Sequence, residues 1–199
     1  MNLAIIKYNA GNIQSVLYAL ERIGMQATVT DDPAAILGAD KVIFPGVGEA
    51  SSAMQYLRER GLDQLIRSLQ QPVLGICLGM QLMCRYSEEN DTPCLGIFEE
   101  EVRRFQSPDA SFKIPQMGWN TIGNLQSPLF TGVPEASYVY FVHSYYCKPA
   151  TPALVCTTTD YGQEFCSMIW ERNVFAVQFH PEKSQEVGLT MLTNFVKLT

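Results

Sequence analysis

The sequence predicts an α/β fold with a doubly wound, mainly parallel sheet flanked by helices and an antiparallel extension. Three observations predict it. The early apolar runs at residues 3–6, 42–44 and 73–76 are unbroken, as in strands that helices cover on both faces. Segments with helical periodicity alternate with these runs. Later in the chain, shorter strand-like segments follow one another with only turn residues between them, which is typical of antiparallel pairing.

The first half begins with the strand at 3–6 and continues with a helix. Asn12 is expected to cap this helix, whose apolar face includes Val16 and Leu20, and Gly24 is expected to end it. The remaining elements of this half are expected as a strand at 25–30, a helix at 62–69 that stops before Pro72, and a helix at 78–86.

The second half is predicted to extend the sheet with antiparallel strands. The strand-like segments lie at 138–142, 154–158, 165–170 and 174–179. A last helix follows, with Ser184 as its expected cap. Its inward-facing residues are expected to be Val187, Met191, Leu192, Phe195 and Val196.

Length and charge restrict the classes of function. A chain of 199 residues suits one domain, 1–199. The formal net charge of −6 and pI of about 4.9 exclude the basic surface that nucleic-acid phosphates require. The apolar run at the N-terminus is too short for a signal peptide, and no stretch is long enough to span a membrane. We therefore expect a cytoplasmic protein without membrane or nucleic-acid partners.

The chain contains six cysteines, at positions 77, 84, 94, 147, 156 and 166. None belongs to a C-x-x-C pair and the chain has only two histidines, so we expect no metal site and no cofactor. Five of the cysteines fit the role of small apolar side chains. Cys77 is the exception.

Cys77 lies in a pattern typical of an activated nucleophile. The apolar run at 73–76 leads into Gly75-Ile76-Cys77-Leu78-Gly79, and a predicted helix follows. A sharp turn from strand to helix presents a nucleophile, and glycines permit the close approach of neighbouring chain. The unpaired N–H groups at the start of the helix favour a thiolate, and the Leu78 N–H can stabilise an oxyanion.

A base for this thiol is expected at His180. It follows a predicted strand and precedes Pro181 and Glu182. Pro181 favours an extended conformation at His180, and residues two apart on extended chain point to the same side. Glu182 can then orient one ring nitrogen while the other faces the thiol. His143 is the competing base, but it has no carboxylate close to it in sequence.

These motifs resemble those of a known family. The residues 75–81, with Gln178-Phe179-His180-Pro181-Glu182, are similar to the class I, or triad-type, glutamine amidotransferases. More narrowly, the chain resembles the glutaminase subunits of imidazole glycerol phosphate synthase, of histidine biosynthesis. The narrower resemblance depends on the segments Ala10-Gly11-Asn12, Pro45-Gly46-Val47-Gly48, 115–120 and 140–145, and it covers essentially the whole chain.

The resemblance implies a reaction and a partner. In the implied reaction, Cys77 attacks the side-chain amide of glutamine, ammonia leaves, and water hydrolyses the cysteinyl thioester to glutamate. A (β/α)₈-barrel cyclase subunit receives the ammonia and makes imidazole glycerol phosphate and an aminoimidazole carboxamide ribotide (AICAR). A channel is reasonable on chemical grounds also, since free ammonia would mostly become unreactive ammonium at neutral pH.

The resemblance also implies binding residues. The substrate-binding residues would be Gly48, Gln81, Glu89, Ser144 and Tyr145, and Val47 would supply a second oxyanion N–H beside Leu78. We expect Glu89 to meet the α-ammonium of glutamine, and Gln81 with backbone groups near Ser144 and Tyr145 to hold its carboxylate and amide. The partner interface is expected to include Asn12, Lys183 and Trp119, with Trp119 partly exposed in a loop.

The sequence departs from the usual family pattern at Lys7, Asn9, Glu49 and Gln116. None of these positions belongs to the predicted triad. The departures at Lys7, Asn9 and Gln116 bear on the expected surface for the partner.

Three alternatives remain open at this point. The chain could serve another class I amidotransferase, although 117–120 and the short, freestanding chain argue against this. It could be a different thiol hydrolase on a related fold, such as a peptidase. It could also be a non-catalytic binding subunit, which the presence of all three triad residues disfavours.

Overall fold

A computed structural model describes residues 1–9, 11–107, 112–149 and 151–198. Ala10, which belongs to one of the family motifs, lies outside them. The strands of the described chain are β1 (Leu3–Ile6), β2 (Thr28–Thr30), β3 (Lys41–Gly46), β4 (Val73–Cys77), β5 (Cys84–Ser87), β6 (Thr92–Pro93), β7 (Phe98–Arg104), β8 (Gln116–Thr121), β9 (Tyr138–His143), β10 (Tyr145–Lys148), β11 (Val155–Asp160), β12 (Glu164–Glu171) and β13 (Val174–Val177). The α-helices are α1 (Ile13–Arg22), α2 (Pro33–Leu37), α3 (Ala50–Glu59), α4 (Leu62–Ser68), α5 (Leu78–Met83) and α6 (Gln185–Lys197).

Most strands join one large mixed sheet, which confirms the predicted fold class. Its order is β2-β1-β3-β4-β13-β12-β10-β7-β5-β6, and β11 pairs with β12. The first five strands in this order, β2, β1, β3, β4 and β13, are parallel to one another. The strands β12, β10 and β11 form the antiparallel extension. The carboxyl ends of β3, β4 and β13 therefore meet at one edge, where a doubly wound sheet places its ligands.

Two apolar clusters lie on opposite faces of the sheet. Alternate residues of β1 separate between them: Ala4 and Ile6 pack with α3 and α4, and Leu3 and Ile5 pack with α1 and α6. This alternation is what strands covered on both faces require. None of the described helices is long and apolar enough to cross a membrane.

Several predicted elements have different ends. The second strand is confined to Thr28–Thr30, and the helix after Cys77 stops at Met83 because the chain continues as β5. Asn12 and Ser184 precede their helices, but neither side chain makes a capping hydrogen bond. Both side chains bond elsewhere, Asn12 with Glu182 and Ser184 with the backbone of the segment that carries His180.

The strands β8 and β9 form a separate two-stranded ribbon, so the prediction that 138–142 extends the main sheet is wrong. Residues alternate between the two faces of the ribbon. Val139, Phe141 and His143 face the protein and are buried. Met117, Trp119 and Tyr138 are exposed, and Tyr140 pairs directly with Trp119. Trp119 thus lies on a strand and not in a loop.

Candidate active site

The nucleophile candidate occupies a strained turn between β4 and α5. Cys77 has φ 52° and ψ −106°, a conformation that is rare for residues other than glycine. Gly79 allows α5 to start against β3, because a Cβ at this position would lie 1.9 Å from the Phe44 carbonyl oxygen. Cys77 is 6% exposed and lines the cavity described below.

His180 is held just beyond the end of β13, the parallel neighbour of β4. Its φ of −102° and ψ of 94° are extended, as Pro181 predicts. Its backbone N–H donates to the Tyr140 carbonyl over 2.9 Å, and its carbonyl accepts the Ser184 hydroxyl over 2.6 Å. These bonds fix the backbone, so the imidazole position depends on the fold and not on a flexible loop.

Glu182 accepts a hydrogen bond from the ring of His180. Nδ1 lies 2.7 Å from Oε1, and the carboxylate is completely buried. Asn12 Nδ2 donates to the same oxygen. The second carboxylate oxygen, Oε2, has no partner among the described residues. Glu182 therefore meets two donors on one atom, and Asn12 supports the triad candidate from α1.

The ring of His180 is strongly biased toward the charged form. Burial lowers the pKa of His180, but the charge and close approach of the Cys77 sulfur, together with the Glu182 carboxylate, outweigh burial and raise that pKa to about 10. Nε2 forms no well-aligned hydrogen bond within the described chain. Such bonds are often loose before substrate binds. The arrangement therefore holds an imidazolium beside the Cys77 sulfur at neutral pH.

A cavity of about 270 Å³ opens beside Cys77. It is lined by all the residues for which the sequence implied oxyanion or substrate contacts, namely Val47, Gly48, Leu78, Gln81, Glu89, Ser144 and Tyr145. Among the described lining residues there is neither lysine nor arginine. The cavity can therefore attract a cationic group through Glu89, whereas it must bind an anionic group with neutral N–H donors.

Glu89 is half-buried at this cavity. Its Oε2 accepts the Ala50 N–H over 2.8 Å at the start of α3. Burial raises the pKa of Glu89, the Ala50 hydrogen bond lowers it, and the charge of Glu49 raises it. Glu49 caps α3 through its side chain. Burial opposes its ionisation, but hydrogen bonds from Asn90 and from the first turn of α3 outweigh burial and lower the pKa of Glu49 to about 2.

The two candidate oxyanion donors, Leu78 and Val47, lie on two chain segments beside the cavity. Leu78 is the first residue of α5, so its N–H has no partner within the helix. Val47 lies just after β3, and its carbonyl oxygen accepts the Gly11 N–H over 3.4 Å. The Tyr8 hydroxyl donates to the Pro45 carbonyl over 2.7 Å and helps to fix this segment.

His143 forms part of the cavity wall. Nδ1 lies 2.7 Å from the Tyr145 carbonyl and Nε2 lies 2.8 Å from the Gln116 side-chain amide. Burial lowers the pKa of His143 to about 4, so the ring is neutral at neutral pH. Since a carbonyl can only accept, the single proton belongs on Nδ1, and the Gln116 amide satisfies the ring when its NH₂ group faces Nε2. His143 therefore has no free nitrogen to serve as the base.

Gln178 is a site residue that the sequence analysis did not single out. Its Nε2 lies 3.6 Å from Cys77 Sγ, and its Oε1 accepts from Gln81 over 3.0 Å. The alternation of side chains along extended chain could have identified Gln178, because Gln178 and His180 are two residues apart and so point to the same side.

The residues expected at a partner interface lie near one another. Trp119 is 46% exposed and packs edge-on against Tyr140, with ring centroids 5.8 Å apart. Lys183 Nζ lies 5.8 Å from the centroid of the same tyrosine ring. Asn12 is connected to this region through Glu182. Trp119 and Lys183 thus share Tyr140 as a neighbour, and Asn12 contacts the triad candidate directly.

Comparisons with known proteins agree with this geometry. The model of the family "Glutamine amidotransferase class-I" matches residues 4–198. The chain is 53% identical over 198 residues to the imidazole glycerol phosphate synthase subunit HisH of Bacteroides fragilis, with 100% of both chains covered. It is 45% identical over 201 residues to HisH of Acinetobacter baylyi, covering 98% of this chain and 97% of the relative.

Solved structures share the fold at low sequence identity. A crystal structure of a glutamine amidotransferase aligns with a TM-score of 0.74 at 18% identity, covering 97% of this chain and 98% of that one. The PurLQS structure from Thermotoga maritima aligns with a TM-score of 0.67 at 16% identity, with 98% and 97% covered.

The chain belongs to the class I glutamine amidotransferase family and is an enzyme of that class. Its full-length relatives place it, within the family, among the HisH subunits of imidazole glycerol phosphate synthase.

Proposed function

We propose that this chain is the glutaminase subunit of an imidazole glycerol phosphate synthase of histidine biosynthesis. It hydrolyses glutamine to glutamate and ammonia through a thioester on Cys77, and a (β/α)₈-barrel cyclase uses the ammonia to make imidazole glycerol phosphate and AICAR. The observation that carries the proposal is the spatial arrangement of the site. His180 lies between Cys77 and Glu182, and Cys77 lines the same cavity as Glu89.

In the first half of the reaction, the Cys77 thiolate attacks the amide carbon of the glutamine side chain. The carbonyl oxygen becomes an oxyanion, which the N–H groups of Leu78 and Val47 stabilise. The imidazolium of His180 then gives its Nε2 proton to the amide nitrogen. The carbon–nitrogen bond breaks, ammonia leaves, and a γ-glutamyl thioester remains.

In the second half, neutral His180 takes a proton from water as the water oxygen attacks the thioester carbon. The same oxyanion contacts stabilise this intermediate. It collapses to glutamate by breaking the carbon–sulfur bond, and Cys77 leaves as a thiolate beside a protonated His180. Throughout the cycle Glu182 holds Nδ1 and stabilises the charged ring.

Recognition of glutamine as a free amino acid follows from the charges of the cavity. Glu89 is the acidic group of the lining and meets the α-ammonium. The α-carboxylate is bound by neutral groups near Ser144 and Tyr145, since the described lining offers no cationic side chain. A glutamine within a peptide chain has no α-ammonium, because its α-nitrogen is an amide, so it would leave Glu89 partly buried without a counterion.

The partner is proposed to dock on the outer face of the β8–β9 ribbon. This face exposes the large apolar side chains Met117, Trp119 and Tyr138. Contiguous exposed apolar groups are typical of an interaction surface, and tryptophan and tyrosine are frequent anchors. Lys183 and Asn12 continue this surface toward the triad, so a subunit docked here covers the exit for ammonia.

We also propose that the reaction takes place in the cytoplasm. The cysteines are free thiols in the structure. Several free thiols in one chain are typical of a reducing compartment, where disulfides are rare.

The proposed function is tested by measuring glutamate release from the purified chain, with and without the barrel cyclase and its phosphoribulosyl nucleotide. We expect hydrolysis to rise when both are present and the nitrogen of glutamine to enter the imidazole product. Free glutamine should be preferred over a glutamine-containing peptide. Equal activity with an unrelated synthase, or hydrolysis of peptides at a similar rate, would contradict the assignment.

Trp119→Ala tests the docking face. We expect weaker cyclase affinity, by about tenfold or more for a central aromatic anchor, and little change in the thermal unfolding of the free chain. Tyr18→Ala is a matched control, because Tyr18 is 57% exposed on α1, outside this surface. Unchanged affinity together with strong destabilisation would make Trp119 a packing residue and place the docking face elsewhere.

A further inference from the structure

The sulfur of Cys77 has a neighbour that the mechanism above does not use. Continuing the register of β4 and β13 by one residue beyond Ile76 and Val177 places Gln178 beside Cys77. Gln178 is completely buried, and its Nε2 lies 3.6 Å from Sγ. The sulfur also lies 3.8 Å from the Val142 carbonyl, which can only accept.

These two contacts respond differently to ionisation. A thiol can donate to the Val142 carbonyl, but a thiolate cannot. The N–H of Gln178 becomes a stronger donor partner once the sulfur carries a negative charge, because hydrogen bonds to charged groups are stronger than neutral ones. Loss of the sulfur proton therefore transfers the stabilising contact from Val142 to Gln178.

The orientation of the Gln178 amide is fixed by a chain of bonds that starts at an unambiguous acceptor. Gln81 Nε2 lies 3.0 Å from the Tyr145 carbonyl, so the NH₂ group of Gln81 must face that way. The same nitrogen donates its other hydrogen to Gln178 Oε1 over 3.0 Å. If the Gln178 amide were reversed, two NH₂ groups would face each other, so its NH₂ group must face the sulfur.

We propose that Gln178 is a catalytic residue that donates a hydrogen bond to the Cys77 thiolate, and that Gln81 is the positioning residue that orients it. This inference rests on the proposed function, since it assigns a role toward the same nucleophile. It also changes the expected role of Gln81. Both amide hydrogens of Gln81 are used within the protein, so only its Oε1 remains to contact the substrate.

The proposed bond acts at both ends of the cycle. Before attack it raises the fraction of thiolate without removing the sulfur lone pairs that attack the amide carbon. In the thioester the sulfur is uncharged, so the bond is weak there. It strengthens again as the carbon–sulfur bond breaks and the electron pair returns to sulfur, and it therefore assists departure of the thiolate during hydrolysis.

Other titratable groups near the sulfur do not replace this donor. His180 gives a proton during the reaction and is neutral while the thioester exists. Burial and the charge of Cys77 raise the pKa of Tyr8 well above its usual range, and its hydroxyl is directed at the Pro45 carbonyl. His143 is neutral and bonded to other groups. Gln178 is thus the constant neutral donor at the sulfur.

The test measures the rate at which iodoacetamide alkylates Cys77 in the full chain, as a function of pH, with mass spectrometry to separate Cys77 from the other cysteines. Gln178→Leu removes the donor at similar size, and Gln178→Glu places an anion at the sulfur in nearly the same shape. Gln81→Leu removes the bond that orients Gln178, together with the bond to the Tyr145 carbonyl, and leaves Gln178 itself in place. Gln126→Leu, an exposed glutamine, is the matched control.

We expect Gln178→Leu to lower the neutral-pH alkylation rate about 10- to 100-fold, the range for a hydrogen bond to a charged group, and to shift the profile toward higher pH. Gln178→Glu should lower it further, and Gln81→Leu should lower it less. Glutaminase turnover should fall in the same order, with the KM for glutamine changed little in the Gln178 variants.

Several outcomes would overturn the inference. Gln178→Glu with a wild-type alkylation profile would remove the proposed donor role, even if Gln178→Leu did not fold. Gln81→Leu with a raised KM and unchanged alkylation would return Gln81 to substrate binding alone. In this experiment the proposed function fails separately, if wild-type Cys77 resists alkylation or a Cys77→Ser chain still hydrolyses glutamine.

Discussion

Replacement of Glu182 by glutamine separates the charge of the carboxylate from its shape. In the structure, Glu182 Oε1 accepts from His180 Nδ1 over 2.7 Å. Glu182→Gln keeps an oxygen that can accept this hydrogen bond, but it removes the negative charge from a fully buried side chain. A hydrogen bond to a charged group contributes about 1.5–3 kcal/mol, against about 1 kcal/mol for a neutral one. The loss is therefore about 0.5–2 kcal/mol, which corresponds to a decrease in kcat/KM of about 2- to 30-fold.

His180→Ala should be far more damaging, by about 10⁴-fold, because it removes the proton donor and acceptor itself. The pH dependence gives a second measure. The imidazolium persists below a folded-state pKa of about 10 and is lost as the pH rises through that value. Since Glu182 helps to raise this pKa, Glu182→Gln should move the basic limb of the kcat/KM profile to lower pH.

The assay is glutamate release by each variant across pH in the presence of the cyclase and its nucleotide. Glu186→Gln, an exposed glutamate in the first turn of α6, controls for the change in net charge. A Glu182→Gln enzyme within twofold of wild type with an unmoved basic limb would refute the orienting role. His143→Ala more damaging than His180→Ala would move the base to the cavity wall.

Three further changes test the nucleophile, the substrate contact and the packing of the turn. Cys77→Ala should abolish glutamine hydrolysis in a folded chain, whereas Cys84→Ala should remain active, because the Cys84 thiol is buried away from the cavity; residual activity of Cys77→Ala would contradict the assignment. Glu89→Gln should raise the KM for glutamine about tenfold with a smaller effect on kcat, since it removes one ionic contact to the α-ammonium; steady-state kinetics with an unchanged KM would exclude that contact. Gly79→Ala should destabilise the chain by about 3 kcal/mol in denaturant unfolding, because its Cβ would meet a carbonyl of the neighbouring strand at 1.9 Å. Gly123→Ala, where the nearest atom is 3.7 Å away, should be tolerated, and equal losses in both would mean that the turn adapts.

The parts of the fold with strong local patterns could be predicted from the sequence. The apolar runs of β1, β3 and β4 are continuous, and the turn at Cys77 follows directly from its glycines. The position of His180 was likewise predictable, since Pro181 restricts its backbone. Each of these features depends on residues within a few positions of one another.

Features that depend on distant contacts could not be predicted in this way. β7 has the charged sequence Phe-Glu-Glu-Glu-Val-Arg-Arg, which shows no clear strand pattern. In the fold Arg103 pairs with Glu88, which lies 15 residues earlier and 2.6 Å away, and with Glu101. α3 was also missed, because its sequence is weakly apolar and Glu49 is an uncommon cap.

Asn12 shows the same limit within the site. Its place before α1 predicted a cap, which is the local role of asparagine at that position. The fold instead brings it to Glu182, 170 residues further along the chain. Its backbone adopts a left-handed conformation with φ 73°.

The two faces of the β8–β9 ribbon have consequences for how the chain can vary. Because side chains alternate at every residue, the exposed Trp119 and the buried Gln116 belong to one pleated pattern. Inserting or deleting a single residue in either strand would turn the aromatic groups inward and direct the His143 contacts to solvent. Point substitutions can adjust either face alone, but the length of the ribbon cannot change by one. Variants with altered partner choice should therefore be sought among substitutions on the outer face, with the spacing of the ribbon kept intact.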